Sequence, residues 1–157
     1  MEKQKGKNVV AGNKGDGDCL SDALSYIFTG DTSQREYFRE MLVRSGVVSA
    51  VYDISGNVAY LNITNAPGFI KVLNSAVKGY RVVGNLAGGV NNFNERIQTL
   101  AKIDLGNAGP NGEMISYAVI ITGKNPDGSY QYKDVVNNVE GVVPAKKILA
   151  SITIARD

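Results

Sequence analysis

The chain has 157 residues, of which 43% are hydrophobic and 20% are charged, and its formal net charge is +2. This length and composition predict one soluble globular domain with enough apolar residues to build a core. The net charge is small, and the basic residues do not cluster among aromatic ones. The usual nucleic-acid-binding classes are therefore excluded, and nucleic acid is not an expected partner.

The cysteine and histidine counts narrow the chemistry further, because the chain has one cysteine and no histidine. A single cysteine excludes an internal disulfide framework, and with no histidine beside it a structural zinc site is not expected. No phosphate-binding or dinucleotide-binding loop is present. We therefore expect no metal and no cofactor.

The polarity of the sequence predicts where the folded domain begins. The polar, lysine-bearing start predicts a flexible N-terminal tail over residues 1–12, followed by a single domain over residues 13–157. No apolar run reaches the roughly 20 residues of a membrane-spanning helix, and no leader is visible. We expect a soluble protein that is cytoplasmic, or secreted with its leader removed, and that has no membrane partner. The sequence does not indicate the oligomeric state.

Apolar residues recur at helical spacing in the first half of the chain. The spacing from Leu20 to Phe28 predicts a helix that ends at Thr29 and Gly30. Further on, Asn65 with Pro67 two residues later opens another predicted helix, whose inward-facing residues are Phe69, Val72, Leu73, Ala76 and Val77.

Between these two helices the sequence predicts one more helix and a pair of strands. Ser33 and Glu36 have the spacing of a capping box and predict a helix that Gly46 ends. Residues 47–54 and 58–63 then alternate as two strands around a short turn.

The middle of the chain has weaker signals. Residues 80–86 predict a short strand. Asn92 and Glu95 have the spacing of a helix start, and the predicted fourth helix carries Phe93, Ile97, Leu100 and Ala101. Residues 106–112 are rich in Gly, Asn and Pro and predict a loop that covers a cleft.

The last third of the chain has β-type patterns. Residues 115–122 predict a strong strand, and residues 125–128 have the composition of a tight turn. Tyr130, Tyr132 and Asp134 then alternate along a returning strand. Residues 144–149 predict a short helix and residues 151–155 a closing strand. Helices followed by a meandering antiparallel sheet indicate the α+β class.

The lone cysteine lies where a reactive thiol is expected. Cys19 falls at the first turn of the first predicted helix, behind a loop rich in glycine and aspartate. Unpaired amide groups and the positive end of the helix dipole favour a thiolate there. The alternative is a buried cysteine that serves as a small apolar side chain.

Residues 15–24 resemble the nucleophile segment of papain-like cysteine peptidases, and above all that of the ovarian-tumour-type deubiquitinases. In that family an Asp-Gly-Asn-Cys run opens the central helix, and here Asp16, Gly17 and Asp18 precede Cys19, with Asp18 in place of the asparagine. The resemblance implies that the loop from Asp16 helps to form the oxyanion hole. In other papain-like branches a glutamine further upstream has this role, and Asn13 occupies that spacing.

A second segment, residues 116–134, resembles the other catalytic half of bacterial papain-fold proteins. A Gly-His-Ala-Val strand supplies the base in those proteins, and the next strand ends in an Asp or Asn that orients it. Here Ser116 and Tyr117 stand in place of the glycine and the histidine, and Asp134 stands at the orienting position. The resemblance implies a papain-like fold, with the nucleophile Cys19 on the first helix and the N-terminal helices packed on a C-terminal antiparallel sheet.

Three functions follow from these observations. The first is a catalytically impaired papain-like homologue, or pseudopeptidase, whose cleft binds a peptide or a protein. It is favoured because a neutral tyrosine does not replace imidazole as a base at pH 7. The second is an active cysteine hydrolase or transferase that takes its base from the substrate or from a partner chain. The third is a structural or interaction domain in which Cys19 belongs to the core.

Overall fold

The structure is a computed structural model that describes residues 19–52, 54–56, 58–83, 97–108 and 114–156. These residues contain three α-helices, eight β-strands and one short 3₁₀ helix, Ala145–Lys147. The helices are α1 (Cys19–Thr29), α2 (Arg35–Arg44) and α3 (Ala66–Ala76). The strands are β1 (Val48–Tyr52), β2 (Val58–Ile63), β3 (Tyr80–Val83), β4 (Ile97–Ala108), β5 (Met114–Lys124), β6 (Tyr130–Asp134), β7 (Val139–Val143) and β8 (Ile148–Arg156).

Six of the strands form one sheet in the order β3-β8-β4-β5-β6-β7, and β1 and β2 form a separate hairpin. Every pairing in both sheets is antiparallel. The predicted α+β class is therefore confirmed. The predicted closing strand, 151–155, is part of β8, which lies inside the sheet between β3 and β4 because it pairs with both.

Helix α1 forms as its spacing predicts, because its apolar residues fall on one buried stripe. Leu20, Ala23, Leu24 and Ile27 are each at most 4% exposed. The helix ends before Gly30, whose φ of 89° is left-handed and suits glycine. The helix contacts β5, and residues of both elements belong to one apolar core.

The predicted cap of helix α2 is Ser33, but the helix begins at Arg35, one residue later than that cap implies. Its N-cap residue is Gln34, which makes no side-chain cap, so the capping box predicted at Ser33 is wrong. The Ser33 backbone N–H instead donates to Asp31 Oδ1 at 3.0 Å. The connection is held by Ser25 of α1, whose hydroxyl donates to the Asp31 carbonyl at 2.8 Å and accepts from the Gln34 N–H at 2.9 Å.

A partly buried ion pair joins α1 to α2. Asp22 is 1% exposed, and its two carboxylate oxygens accept from Nε and Nη2 of Arg35. A buried carboxylate is costly unless it is paired and hydrogen-bonded, so this contact makes the burial of Asp22 tolerable. It also neutralises a negative charge one helical turn from Cys19.

The predicted hairpin and third helix are confirmed. β1 and β2 pair from Val48 with Ile63 to Tyr52 with Val58. Helix α3 has Asn65 as its N-cap, and the Asn65 side chain accepts from the Gly68 N–H at 3.0 Å. Such a cap satisfies one of the free N–H groups of the first turn.

The fourth predicted helix is wrong where the structure describes it, because the segment from Ile97 belongs to β4. This strand lies between β5 and β8, and the consecutive residues Thr99, Leu100 and Ala101 are 1%, 5% and 1% exposed. Neighbouring strand residues point to opposite faces, so both faces are covered here. A strand buried on both faces shows no alternation of apolar and polar residues, so its apolar run resembles helical spacing. Residues 92–96 lie outside the described residues.

Two other predicted segments also differ from the structure. The loop predicted over 106–112 begins inside β4, which continues to Ala108 and passes a bulge between Asp104 and Asn107. Residues 109–112 of that loop lie outside the described residues. The helix predicted over 144–149 is shorter, because β8 already begins at Ile148.

The turn between β5 and β6 forms as predicted. The Gly128 N–H donates to the Asn125 carbonyl at 3.0 Å, and Gly128 has a φ of 92°. At the far edge of the sheet, the Asn74 side chain of α3 is bonded twice to the backbone of Val82 in β3. Its Nδ2 donates to the Val82 carbonyl at 3.0 Å, and its Oδ1 accepts from the Val82 N–H at 2.7 Å.

Among the described residues, no helix has the length and the apolar character that a bilayer crossing requires.

Gly141 of β7 provides a test of this sheet, because the ring of Tyr132 occupies the space of a side chain there. The two residues are cross-strand partners, and a Cβ built on Gly141 would lie 2.6 Å from Tyr132 Cζ. We expect Gly141→Ala to lower the free energy of unfolding by about 1–3 kcal/mol, since the ring must be displaced. Urea denaturation measures the change.

Gly123→Ala is the matched control, because its Cβ would meet only the flexible end of Gln131, at 3.2 Å. We expect this variant to lose less stability than Gly141→Ala. The cost at Gly141 should also disappear in a Tyr132→Ala background. Equal losses at the two glycines would contradict the steric explanation.

Candidate active site

Cys19 is the first residue of α1, and its side chain is 6% exposed. Its Sγ accepts a hydrogen bond from the backbone N–H of Ala118 in β5, with a sulfur–nitrogen distance of 3.4 Å. The two residues are 99 positions apart in the chain. The start of the first helix is therefore joined directly to the middle of the C-terminal sheet.

The Ala118 N–H lies beyond the end of the pairing between β5 and β6. β5 pairs with β4 at Ala118, but its register with β6 begins only at Ile120, opposite Lys133. A longer β6 would cover the edge of β5 at residue 118. Because β6 ends at Asp134, the sulfur of Cys19 can approach this edge and accept the N–H.

Tyr117, the neighbour of Ala118, is bonded to the last residue of β6. The Tyr117 hydroxyl donates to Asp134 Oδ1 at 3.3 Å, and the two residues are 3% and 7% exposed. A buried hydroxyl and a buried carboxylate both need partners, and here each satisfies the other. The strand pairing brings the two side chains together across 17 positions of the chain.

Asn137, in the turn after β6, is a third member of this polar group. Its Nδ2 donates to Asp134 Oδ2 at 2.9 Å and to the Tyr117 hydroxyl oxygen at 3.3 Å. Its backbone N–H donates to Asp134 Oδ1 at 3.2 Å. We call Tyr117, Asp134 and Asn137 the phenol–carboxylate–amide cluster.

Sequence reasoning did not identify Asn137. The spacing of Asp134 and Asn137, three residues apart in a turn, could have indicated their contact. Aspartate side chains often accept hydrogen bonds from nearby backbone N–H groups in turns. The next residue, Asn138, has a φ of 53°, which is a left-handed turn conformation that asparagine tolerates.

The structure thus places Cys19, Tyr117 and Asp134 in one region. The sulfur is bonded to the residue that follows Tyr117, and the Tyr117 hydroxyl is bonded to Asp134. The predicted oxyanion residues Asn13, Asp16, Gly17 and Asp18 lie outside the described residues.

Among the described residues, one negative charge near Cys19 is compensated. The buried Asp22 carboxylate is paired with Arg35, and the N-terminal end of α1 favours negative charge on the sulfur. Burial acts in the opposite direction, since it disfavours the charged form of any thiol. In the part of the chain that the structure describes, no group of three acidic, cysteine or histidine side chains is arranged to hold a metal ion.

The cluster has limited capacity for proton transfer. The Tyr117 hydroxyl donates a hydrogen bond to Asp134 and accepts one from Asn137. An ordinary phenol has a pKa near 10 and is neutral at pH 7. With no histidine in the chain, the cluster contains a phenol, a carboxylate and an amide but no imidazole base.

The pKa of Tyr132, in the middle of β6, responds to burial and to the negative charge of Asp134. Burial raises the pKa of Tyr132 above its ordinary value of 10.0, and the negative charge of Asp134 raises this pKa further. Both effects favour the neutral phenol in the folded protein.

This shift has a consequence at high pH. A raised pKa in the folded state contributes stability that is fully present below about pH 10 and is lost as the pH rises through the folded-state pKa of Tyr132. We expect the free energy of unfolding to fall above about pH 10, and to fall less steeply in Tyr132→Phe. Denaturant titrations at several alkaline pH values measure the slope.

Tyr37→Phe is the control for this measurement, because Tyr37 is 49% exposed and removing its hydroxyl changes an exposed position. Its alkaline slope should match that of the wild-type protein. A slope for Tyr132→Phe that equals the wild-type slope would rule out the stated coupling.

Comparison of the chain with protein-family models, with curated proteins and with solved structures gave no match.

Proposed function

We propose that this protein is a papain-like cysteine peptidase homologue that lacks peptidase turnover and binds a peptide or a protein near Cys19. In this proposal Cys19 occupies the position of the nucleophile and Tyr117 that of the histidine base. Asp134 is in the position of the residue that would orient the base. The helices before the sheet then correspond to the helical side of a papain-like fold.

One observation carries the proposal: residues from three separate elements lie in one region of the structure. The sulfur at the start of α1 lies 3.4 Å from the N–H of the residue after Tyr117, and the Tyr117 hydroxyl lies 3.3 Å from Asp134. The two motif segments are far apart in the chain, and this contact brings them together.

The missing imidazole supports the lack of turnover. A general base must accept the thiol proton, and an imidazolium then stabilises the thiolate. A neutral phenol does neither, and in serine peptidases the loss of one triad member costs several orders of magnitude in rate. The hydrogen bonds that Tyr117 makes to Asp134 and Asn137 further direct it away from proton transfer.

One observation favours the structural alternative, in which Cys19 is a core residue. Its side chain is 6% exposed and joins the apolar core of α1 and β5. An active hydrolase with a base from another molecule is the remaining alternative. The three functions predict different reactivities of the thiol, so chemical labelling separates them.

The first test restores the missing base with Tyr117→His. We expect this variant to react with iodoacetamide at Cys19 at least about tenfold faster than the wild-type protein at pH 7, because a positioned imidazole takes up the thiol proton. Mass spectrometry follows the labelling rate between pH 5 and 9. Imidazole is shorter than phenol, so Asp134→Glu in the same background should increase the rate further.

Tyr117→Phe is the matched control, since it keeps the ring and loses the hydroxyl, and it should give no gain. Thermal melts by circular dichroism establish that each variant is folded. Equal rates in the folded His and Phe variants would refute the proposed arrangement. Labelling of the wild-type thiol as fast as that of an activated cysteine would instead support the active hydrolase.

The second test concerns the ligand. If the site binds peptides, a tryptic digest of casein should slow the alkylation of Cys19 in Tyr117→His several-fold, because bound peptide excludes the reagent. The corresponding mixture of free amino acids is the control and should leave the rate unchanged. Equal rates with and without the digest would argue against a peptide-binding cleft.

A further inference from the structure

Asn137 is placed to act on two members of the candidate site at once. It lies three residues after Asp134, in the turn that follows β6, and its side-chain amide reaches both Asp134 and Tyr117. None of the motif segments assigns it a role. Its contacts are polar, directional and concentrated on groups that the proposed function uses.

The geometry of Asn137 holds both oxygens of one carboxylate. Its Nδ2 donates to Asp134 Oδ2 at 2.9 Å, and its backbone N–H donates to Asp134 Oδ1 at 3.2 Å. A carboxylate held at both oxygens has little freedom to rotate. Oδ1 is therefore kept facing the Tyr117 hydroxyl, which donates to it at 3.3 Å.

The same amide also acts on the phenol. Asn137 Nδ2 lies 3.3 Å from the Tyr117 hydroxyl oxygen and donates to it. The hydroxyl therefore has its proton directed to Asp134 and a lone pair directed to Asn137. The three side chains therefore bond to one another in a closed ring. Asn137 makes two of these bonds, and the third joins the two groups that it contacts.

We infer that Asn137 is a positioning residue of this site, which fixes the Asp134 carboxylate and the Tyr117 hydroxyl against each other. The inference rests on the proposed function for its relevance to Cys19, but the hydrogen-bond ring itself exists in the unmodified chain. In a chain with imidazole at position 117, the same amide holds the carboxylate that orients the ring.

The first experiment examines the unmodified site by NMR with tyrosine labelled at ¹³Cζ in an equal mixture of H₂O and D₂O. A hydroxyl that exchanges slowly gives two Cζ signals, and the loss of one signal in Tyr117→Phe assigns Tyr117. We expect two signals in the wild-type protein. Asn137→Asp, which keeps the size but removes the amide donors, should merge them, and Asn137→Ala should do the same.

Asn138→Gly is the matched control in the same turn. Asn138 accepts a hydrogen bond from Lys133 Nζ at 3.1 Å, and its φ of 53° is one that glycine adopts easily. This variant changes the turn without removing any bond to Asp134, so the two signals should persist. A single merged signal in the wild-type protein, or two signals in folded Asn137→Asp, would overturn the inference.

The second experiment uses the Tyr117→His background and the pH profile of Cys19 alkylation. Adding Asn137→Ala should lower the rate at pH 7 about tenfold, as expected when a partner that orients a functional group is lost. Adding Asn138→Gly should leave the profile unchanged. A purely structural role would change the melting temperature but not the pH profile.

The two proposals fail in different ways. If Tyr117→His accelerates alkylation and Asn137→Ala leaves that acceleration intact, the role of Asn137 is refuted and the proposed function stands. If Tyr117→His gives no acceleration while Asn137→Asp still merges the Tyr117 signals, the proposed function fails and Asn137 remains a positioning residue of a structural cluster.

Discussion

The hydrogen bond from the Ala118 N–H to the sulfur of Cys19 is the contact on which the interpretation of this protein depends. It joins the first residue of α1 to the strand that carries Tyr117, and it exists because β6 ends before it could cover that edge of β5. The apolar stripe of α1 then extends the same contact into the core. Without this meeting of helix and strand, the thiol would have no spatial relation to the phenol and the carboxylate, which the pairing of β5 with β6 holds together.

In the phenol–carboxylate–amide cluster, a buried phenol and the exposed side chain of Asn137 satisfy a buried carboxylate. The Asp134 carboxylate receives three hydrogen bonds, from Tyr117 and from the side chain and backbone of Asn137. Buried polar groups are tolerated when they are satisfied, so the cluster imposes little penalty on folding. The same hydrogen bonds keep the phenol directed at its partners, which agrees with the proposed lack of turnover.

Much of the fold could be predicted from the sequence, because many of its signals are local. The apolar stripe from Leu20, the Asn65 cap and the turn at Asn125 each depend on residues that are close in the chain. The strand at Ile97 could not be recognised, since burial on both faces arises from β5 and β8, which are distant in sequence. In the site, motif resemblance pointed to Cys19, Tyr117 and Asp134. Asn137 was missed because its role arises from a turn and a strand end that only the folded chain brings together.

The side chain of Asn74 protects the edge of the sheet at β3. By bonding to both the N–H and the carbonyl of Val82, it occupies the sites at which another chain could add itself to β3. A single side-chain amide therefore hinders the addition of another strand at this position of β3. A variant without this amide would leave the N–H and the carbonyl of Val82 open to pairing with another strand.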